Sequence, residues 1–199
     1  MEAGAELVAR ARLICGEQHV ITSPTMLSIY RSDGLRRNGP LPVAAILPSS
    51  ASEVTGVVAA CAATGSPYVV RGAGTSDSGS ALPVADGVLI VLTRMRRVLA
   101  ISQDREEVTV EPGTPPAALR RALPARWFEE PEPSGTVGGL LAATVGVPNI
   151  AGLDLVQPDG TFVRLDARDP GYDLTGAFPG SRGRAGIAVA ITLRALSRR

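Results

Sequence analysis

Histidine is almost missing from this chain, with one copy at His19 among 199 residues, and cysteine occurs only at Cys15 and Cys61. One histidine cannot build a multi-histidine metal site, and two cysteines so far apart in the chain offer no zinc spacing. A Ser-His-Asp triad would have to recruit His19, which no nucleophile motif accompanies and which reads as a surface residue. Secreted disulfide scaffolds carry more cysteine than this; both residues lie in apolar, helix-like stretches and are expected to be buried free thiols. Excess charge is missing too. Lys plus Arg number 20 against 19 Asp plus Glu, a net +1, so no overall field draws in nucleic acid or an anionic membrane. No apolar run approaches the roughly 20 residues of a membrane helix. The first twelve residues mix acids, bases and small residues without the regions of a signal peptide. The expectation is a cytoplasmic protein with no membrane span and no nucleic-acid partner. Aromatics make up 4%, and Tyr172, Trp127 and Phe128 are assigned to the core or a lobe interface. The basic clusters Arg94, Arg96, Arg97 and Arg198, Arg199 read as solvated strand ends.

What is present is apolar content of 45% over 199 residues, enough for one large domain or two packed lobes. Leu7, Val8, Ala11 and Ile14 repeat at helical spacing until Gly16, which predicts an N-terminal helix over 5–15. Residues 43–47 form a short apolar strand closed by Pro48, Ser49 or Ser50 caps a helix over 52–63 ending at Gly65, and 68–70 is a second strand. This strand-helix-strand order predicts a parallel βαβ unit with the two strands side by side. A further strand spans 88–92, a hairpin joins 98–102 to 107–111, and Thr114 opens a helix over 115–123. Residues 137–145 are small and apolar. A second hairpin, 153–156 with 162–165, turns at Pro158-Asp159-Gly160, and 186–196 is a closing strand.

The loop Arg71-Gly-Ala-Gly-Thr-Ser-Asp-Ser-Gly-Ser80 carries the most chemical information. Glycines among Ser and Thr let successive backbone N–H groups converge on an anion, which suits a pyrophosphate. A Rossmann fingerprint would open a helix here, and a strand follows instead. A Walker A loop would need a lysine, and the stretch has none. A plain surface turn is the competing reading of the loop taken alone.

Several segments in order now narrow the choice: Tyr30-Arg-Ser-Asp-Gly-Leu35, Val70-Arg-Gly-Ala-Gly-Thr75, Leu82 to Leu92, Thr109-Val-Glu-Pro-Gly113, Pro133-Ser134, Thr136-Val-Gly-Gly139, Pro170-Gly-Tyr-Asp-Leu-Thr-Gly-Ala-Phe178 and Gly180-Ser-x-Gly-x-x-Gly-Ile187. Together they resemble the PCMH-type FAD-binding domain of the glycolate oxidase flavin subunit and D-lactate dehydrogenase family, over about residues 24–196. The resemblance implies an α+β fold of two α/β lobes, about 24–92 and 93–199, behind an N-terminal helix (1–23), with FAD clamped between the lobes. It further implies that Arg71, Gly72, Ala73, Gly74, Thr75, Ser76 and Ser78 hold the FAD pyrophosphate. Pro133, Ser134, Thr136, Gly138 and Gly139 would run along the cofactor, and Ile187 would touch it through its main chain. Covalent relatives place a histidine in or beside the loop, where this chain has Thr75, so FAD is expected to be non-covalent.

Three features depart from that family. Ser76-Asp77 stands where Gly-Leu is usual, the segment after Gly139 is short over 140–147, and Arg182 and Arg184 replace the common Glu and Thr. The family's substrate-binding domain would begin about residue 199, so a substrate domain or partner subunit is expected to complete a 2-hydroxyacid dehydrogenase. The alternative is a degenerate flavin fold serving as a binding module. No catalytic base or metal ligand is nominated.

Overall fold

The computed structural model describes residues 2–104, 106–123, 134–143, 150–181 and 183–194. The first helix, α1 (Glu2–Cys15), is followed by the short strand β1 (Val20–Ile21), the single turn α2 (Pro24–Leu27), β2 (Ala44–Ile46), α3 (Ala51–Thr64), β3 (Tyr68–Arg71) and β4 (Val88–Val91). Their strands form a four-stranded sheet in the order β1-β2-β4-β3, antiparallel at β1 and parallel elsewhere. The expectation that the strands at 43–47 and 68–70 lie side by side is therefore corrected, because β4 sits between them. Burial explains the order. All four residues of β4 are buried, which suits a central strand, whereas three of the four in β3 keep partial exposure and suit an edge. The βαβ rule sets direction and hand but leaves room for an inserted strand.

Helix α3 starts where the Ser50 hydroxyl accepts the Glu53 N–H at 3.2 Å, while the Glu53 carboxylate accepts the Ser49 N–H and hydroxyl at 2.8 Å each, a reciprocal cap. It stops at Gly65, which takes the left-handed φ of 63°. Its buried face of Val54, Val57, Val58 and Cys61 packs with Leu7, Ala11 and Cys15 of α1 over Ile46, Val88 and Ile90. Both cysteines are free and buried. The sheet's other face holds Ala45, Leu89 and Val91 against Leu27.

The rest of the described chain forms β5 (Val98–Ser102), β6 (Glu107–Val110), α4 (Pro116–Ala122), α5 (Val137–Ala143), β7 (Ile150–Val156), β8 (Phe162–Asp166) and β9 (Ile187–Arg194). Here the sheet is five-stranded and antiparallel, in the order β5-β6-β9-β7-β8. Leu119, Leu123, Val137 and Leu141 cover Val108, Val110, Leu153, Leu155 and Ile191. Helix α5 arises in a stretch whose two glycines argue against helix, and tertiary packing of Val137 and Leu141 overrides that preference. Thr114 does not cap α4 as expected. Its hydroxyl donates to the Arg97 carbonyl at 3.3 Å, and Pro115 and Pro116 pre-set the first turn.

The sheets share a core, since Val156, Ile187 and Val189 of β7 and β9 belong to the cluster built on α3. The connection between them is clamped by buried Glu111, whose carboxylate accepts the Arg97 N–H at 2.8 Å and Nη2 at 2.7 Å. Arg94 donates to the Leu47 carbonyl at 2.6 Å. Arg94 is thus a part-buried structural tie, a correction to its reading as a solvated end, while Arg96 and Arg97 are exposed as expected, Arg97 pairing with Glu111 from the surface. Tyr172 is also corrected: it is 96% exposed, because buried Phe178 anchors that segment and Tyr172 rides on the turn before it. Trp127, Phe128, Arg198 and Arg199 lie outside the described residues.

Ile90 is fully enclosed at the centre of the first sheet. Replacing it with alanine is expected to cost about 2–5 kcal/mol in urea denaturation. Leu13→Ala, at a position 89% exposed, should stay within about 0.5 kcal/mol. Similar losses for both would contradict this placement of the core.

Candidate functional site in the cleft between the lobes

A cavity of about 530 Å³ opens between the two sheets. One wall is the loop that leaves β3, where Gly72, Ala73, Gly74, Thr75 and Ser76 face the cavity. The opposite wall is Ser134, Thr136, Gly138 and Gly139 at the start of α5, with Ile187 of β9 nearby. The expected residues from two distant parts of the chain therefore meet across one cleft. Arg71 and Ser78 are not among its lining residues, and Pro133 lies outside the described residues. Pro112, Phe178 and Gly186 also line it. Each sits in a segment singled out in the sequence, but nothing in the residue types separated them from their neighbours.

Two glycines make the first wall possible. A Cβ on Gly72 would lie 2.3 Å from the Thr136 Oγ1, so only glycine lets the lobes approach this closely there. Gly74 has φ 74°, and a Cβ on it would lie 2.0 Å from the Arg71 Nη2. The loop carries unspent donors: no backbone N–H from Gly72 to Asp77 donates to another described residue. By contrast, the first amides of α5 are used. Val137 donates to the Thr114 carbonyl at 2.9 Å, Gly138 to Pro112 at 2.8 Å and Gly139 to the Thr136 hydroxyl at 3.3 Å. The hydroxyls of Ser76, Ser78 and Ser80 form a ladder with 2.8 Å steps, which ties Ser78 to two residues that line the cavity.

A second loop, 31–39, supports the first from behind. The Gly34 N–H donates to the Ser76 carbonyl at 3.0 Å, and a Cβ on Gly34 would lie 2.3 Å from the Thr75 carbonyl oxygen. Arg37 donates to the Asp77 carbonyl. Asp33 shapes this brace. Its enclosed carboxylate accepts the N–H groups of Leu35 and Arg37 at 3.0 and 2.9 Å and Arg37 Nε at 2.8 Å. Burial alone works to raise its pKa, but the hydrogen bonds and charge of Arg37, with the Leu35 amide, outweigh it and hold Asp33 below the ordinary carboxylate range.

Beneath the loop, the buried Arg71 guanidinium donates to the carbonyls of Ser32 at 2.8 Å and Ala81 at 3.0 Å. Burial lowers its pKa, with Tyr30 and Asp33 working the other way; a guanidinium stays protonated at neutral pH regardless. Neither histidine nor cysteine lines the cavity, the one acid among its described lining residues is the exposed Asp77, and no metal-type cluster occurs among the described residues. Amides, hydroxyls and aliphatic surface suit holding an extended anionic ligand better than proton transfer.

A family model described as FAD binding domain matches residues 42–166. Among curated proteins, the chain is 34% identical over 185 residues to glycolate oxidase subunit GlcD of Escherichia coli, covering 84% of this chain and 37% of that protein. It is 32% identical over 171 residues to the mitochondrial D-lactate dehydrogenase [cytochrome] of Arabidopsis thaliana, covering 77% and 30%. The chain thus spans less than two fifths of these relatives. Among solved structures, an alkyldihydroxyacetonephosphate synthase superposes with TM-score 0.81 at 18% identity over 96% of this chain and 40% of that one. p-Cresol methylhydroxylase with substrate bound does so with TM-score 0.78 at 20% identity, over 98% and 44%. At such identity the structural likeness establishes the fold.

The Asp33 brace predicts a pH dependence. A carboxyl whose pKa is depressed on folding stabilises the folded state above its unfolded pKa of about 3.9, and the stabilisation is lost as pH falls through the folded value. Asp33→Asn should therefore be less stable than the parent at pH 7, and the gap should close below about pH 4. Urea melts at both pH values measure it; a gap that persists in acid would refute the role of the ionised carboxylate.

Proposed function

The chain belongs to the FAD-binding domain family, with FAD as cofactor, and from that premise we propose that it is the flavin-holding part of a dehydrogenase that oxidises a 2-hydroxyacid. The observation that carries the reading of the site is the run of N–H groups from Gly72 to Asp77, none of which donates to another described residue, on a cleft wall between the lobes. A diphosphate offers the acceptors these donors lack, and hydrogen bonds to a charged acceptor contribute about 1.5–3 kcal/mol each. The chain's residues fit the cofactor: Gly72 and Gly74 keep the backbone bare where it must approach, and Thr75 and Ser76 add hydroxyls. Ser134, Thr136, Gly138 and Gly139 form the facing wall, Ile187 lies beside it, and Pro133 belongs with the facing segment by sequence. Arg71 and Ser78 support the loop from outside the cavity.

When bound, FAD supplies the hydride acceptor. The protein's part is to hold and orient it and to keep water from its buried face. The attachment is non-covalent in this reading, since neither histidine nor cysteine lines the cavity. The lobes divide near Leu92, at the clamp formed by Arg97 and Glu111, with 1–23 as an N-terminal helix. A substrate domain or partner subunit supplies the groups that bind the 2-hydroxyacid and remove its proton, in keeping with a cavity whose described lining residues include no base other than Asp77. The proposed location is the cytoplasm, in keeping with described helices none of which is long and apolar enough to cross a membrane.

Titration of the purified chain with FAD, followed by flavin fluorescence and visible absorption, tests the reading. Stoichiometric uptake is expected, and a folded chain indifferent to FAD would favour the degenerate binding module. Two variants test the loop. Gly74→Val should weaken FAD binding by about 100-fold or more, because its side chain meets the Arg71 guanidinium and the backbone φ is strained. Asp77→Leu removes a carboxylate from the cavity wall and should tighten binding by roughly 3- to 10-fold. Unchanged affinity in Gly74→Val would remove the loop from the site.

A further inference from the structure

The chain contains no lysine; all of its 20 Lys-or-Arg residues are arginine, and no arginine is among the described residues lining the cavity. A diphosphate bound there would meet dipoles and hydroxyls but no cationic side chain among the described lining residues, with the Asp77 carboxylate on the same wall. Two arginines lie just behind the loop, and their circumstances differ. Arg37 is neutralised by Asp33, whose carboxylate it meets at 2.6 Å. Arg71 is buried, with 7% exposure, and forms no ion pair among the described residues. Its donors go to two uncharged carbonyls, of Ser32 and Ala81. The nearest acid facing it is Asp33, already held by Arg37, and Tyr30 is the other titratable neighbour.

Burying an arginine without a carboxylate is costly, and the two carbonyl hydrogen bonds offset only part of that cost. The geometry shows where the charge can act. Gly74 packs directly on the guanidinium, a Cβ there lying 2.0 Å from Nη2 and 2.4 Å from Cζ. Gly74 also faces the cavity, whereas Arg71 does not. A single thickness of backbone, bare of side chain, separates the charge from the space where an anion would sit. We propose that Arg71 is the counter-charge of the anion-binding loop, a positioning residue that attracts a bound diphosphate through the Gly74 backbone without touching it. This inference rests on the diphosphate reading of the cleft. It assigns to one residue a task that the amides cannot perform, because dipoles leave the net charge of the ligand unbalanced. It also accounts for the glycine at position 74, since any side chain there would move the guanidinium away from the loop.

Arg71→Lys and Arg71→Gln separate charge from scaffolding. Lysine keeps the positive charge, and glutamine keeps an amide donor for Ser32 or Ala81 while removing it. The probes are FAD and inorganic pyrophosphate, with Kd measured by calorimetry, and apo-protein thermal melts report on folding. A charge a few ångströms behind the loop predicts that Arg71→Gln loses about 10- to 100-fold in affinity for both probes. Arg71→Lys should stay within about threefold of the parent. Folded Arg71→Gln with parental affinity for both probes would overturn the proposal. So would folded Arg71→Lys that has lost as much as Arg71→Gln, since that outcome assigns Arg71 to scaffolding. Should Arg71→Gln fail to fold, retained affinity in Arg71→Lys supports the charge and a loss of tenfold or more refutes it. A parent chain that binds pyrophosphate, with this same Arg71 dependence, but not FAD would retract the flavin reading and keep the counter-charge. A parent that binds neither probe overturns both.

Discussion

The contact of Gly72 with Thr136 sets the spacing of the two walls, and most of the site follows from it. The backbone of one lobe meets a side-chain hydroxyl of the other with no room for a Cβ between them. The Thr136 hydroxyl also accepts the Gly139 N–H, so the group that limits the approach of the lobes helps to start α5. Elsewhere the lobes meet over apolar surface shared by α3, β7 and β9, which is broad and nondirectional. That surface holds the halves together, while the Gly72 contact determines how wide the cleft stands at the loop.

The loop that forms one wall has little secondary structure of its own, and its shape comes from behind. Gly34, Arg37 and Arg71 touch it at Ser76, Asp77 and Gly74, and Asp33 and Ser32 hold those contacts in place. The arrangement meets a specific physical demand. Backbone amides aimed at a ligand must remain unsatisfied until it arrives, and buried unsatisfied amides are costly. A loop whose other face is fully tied can present a run of free donors to a solvent-filled cleft without collapsing onto them.

Much of this architecture was legible in the sequence, for reasons that differ by region. The cap at Ser50, the stop at Gly65 and the hairpin at 158–160 depend on local chemistry, and local chemistry is what a sequence displays. The position of β4 between β2 and β3 was not legible, since strand order depends on which strand tolerates burial on both faces, a comparison across the whole sheet. Helix α5 was hidden by its own glycines, whose helix cost is overridden only when Val137 and Leu141 find the second sheet. At the site, the resemblance identified segments, and folding brought residues from 72–76 and 134–139 to one cleft. The exposure of Tyr172 was misread because an aromatic residue carries no label distinguishing a core position from a turn.

A cleft can be well suited to holding a ligand and poor in the groups that transform it. The lining residues here provide glycines, small hydroxyl side chains and aliphatic surface, with no histidine, cysteine or lysine among them. Proton transfer needs a group whose pKa lies near the working pH, and Asp77 is the one titratable side chain among the described lining residues. The proposed function answers this composition with a division of labour. If a flavin accepts the hydride, the remaining chemistry is the removal of one proton and the binding of a carboxylate, which calls for a base and a cation open to the substrate. Neither of the two arginines behind the loop lines the cavity: Arg37 pairs with Asp33, and Arg71 donates to the carbonyls of Ser32 and Ala81. In the proposed function, substrate-handling groups on another structural unit would leave this one free to keep its donors fixed, because motion that admits substrate need not disturb the loop proposed to hold the diphosphate.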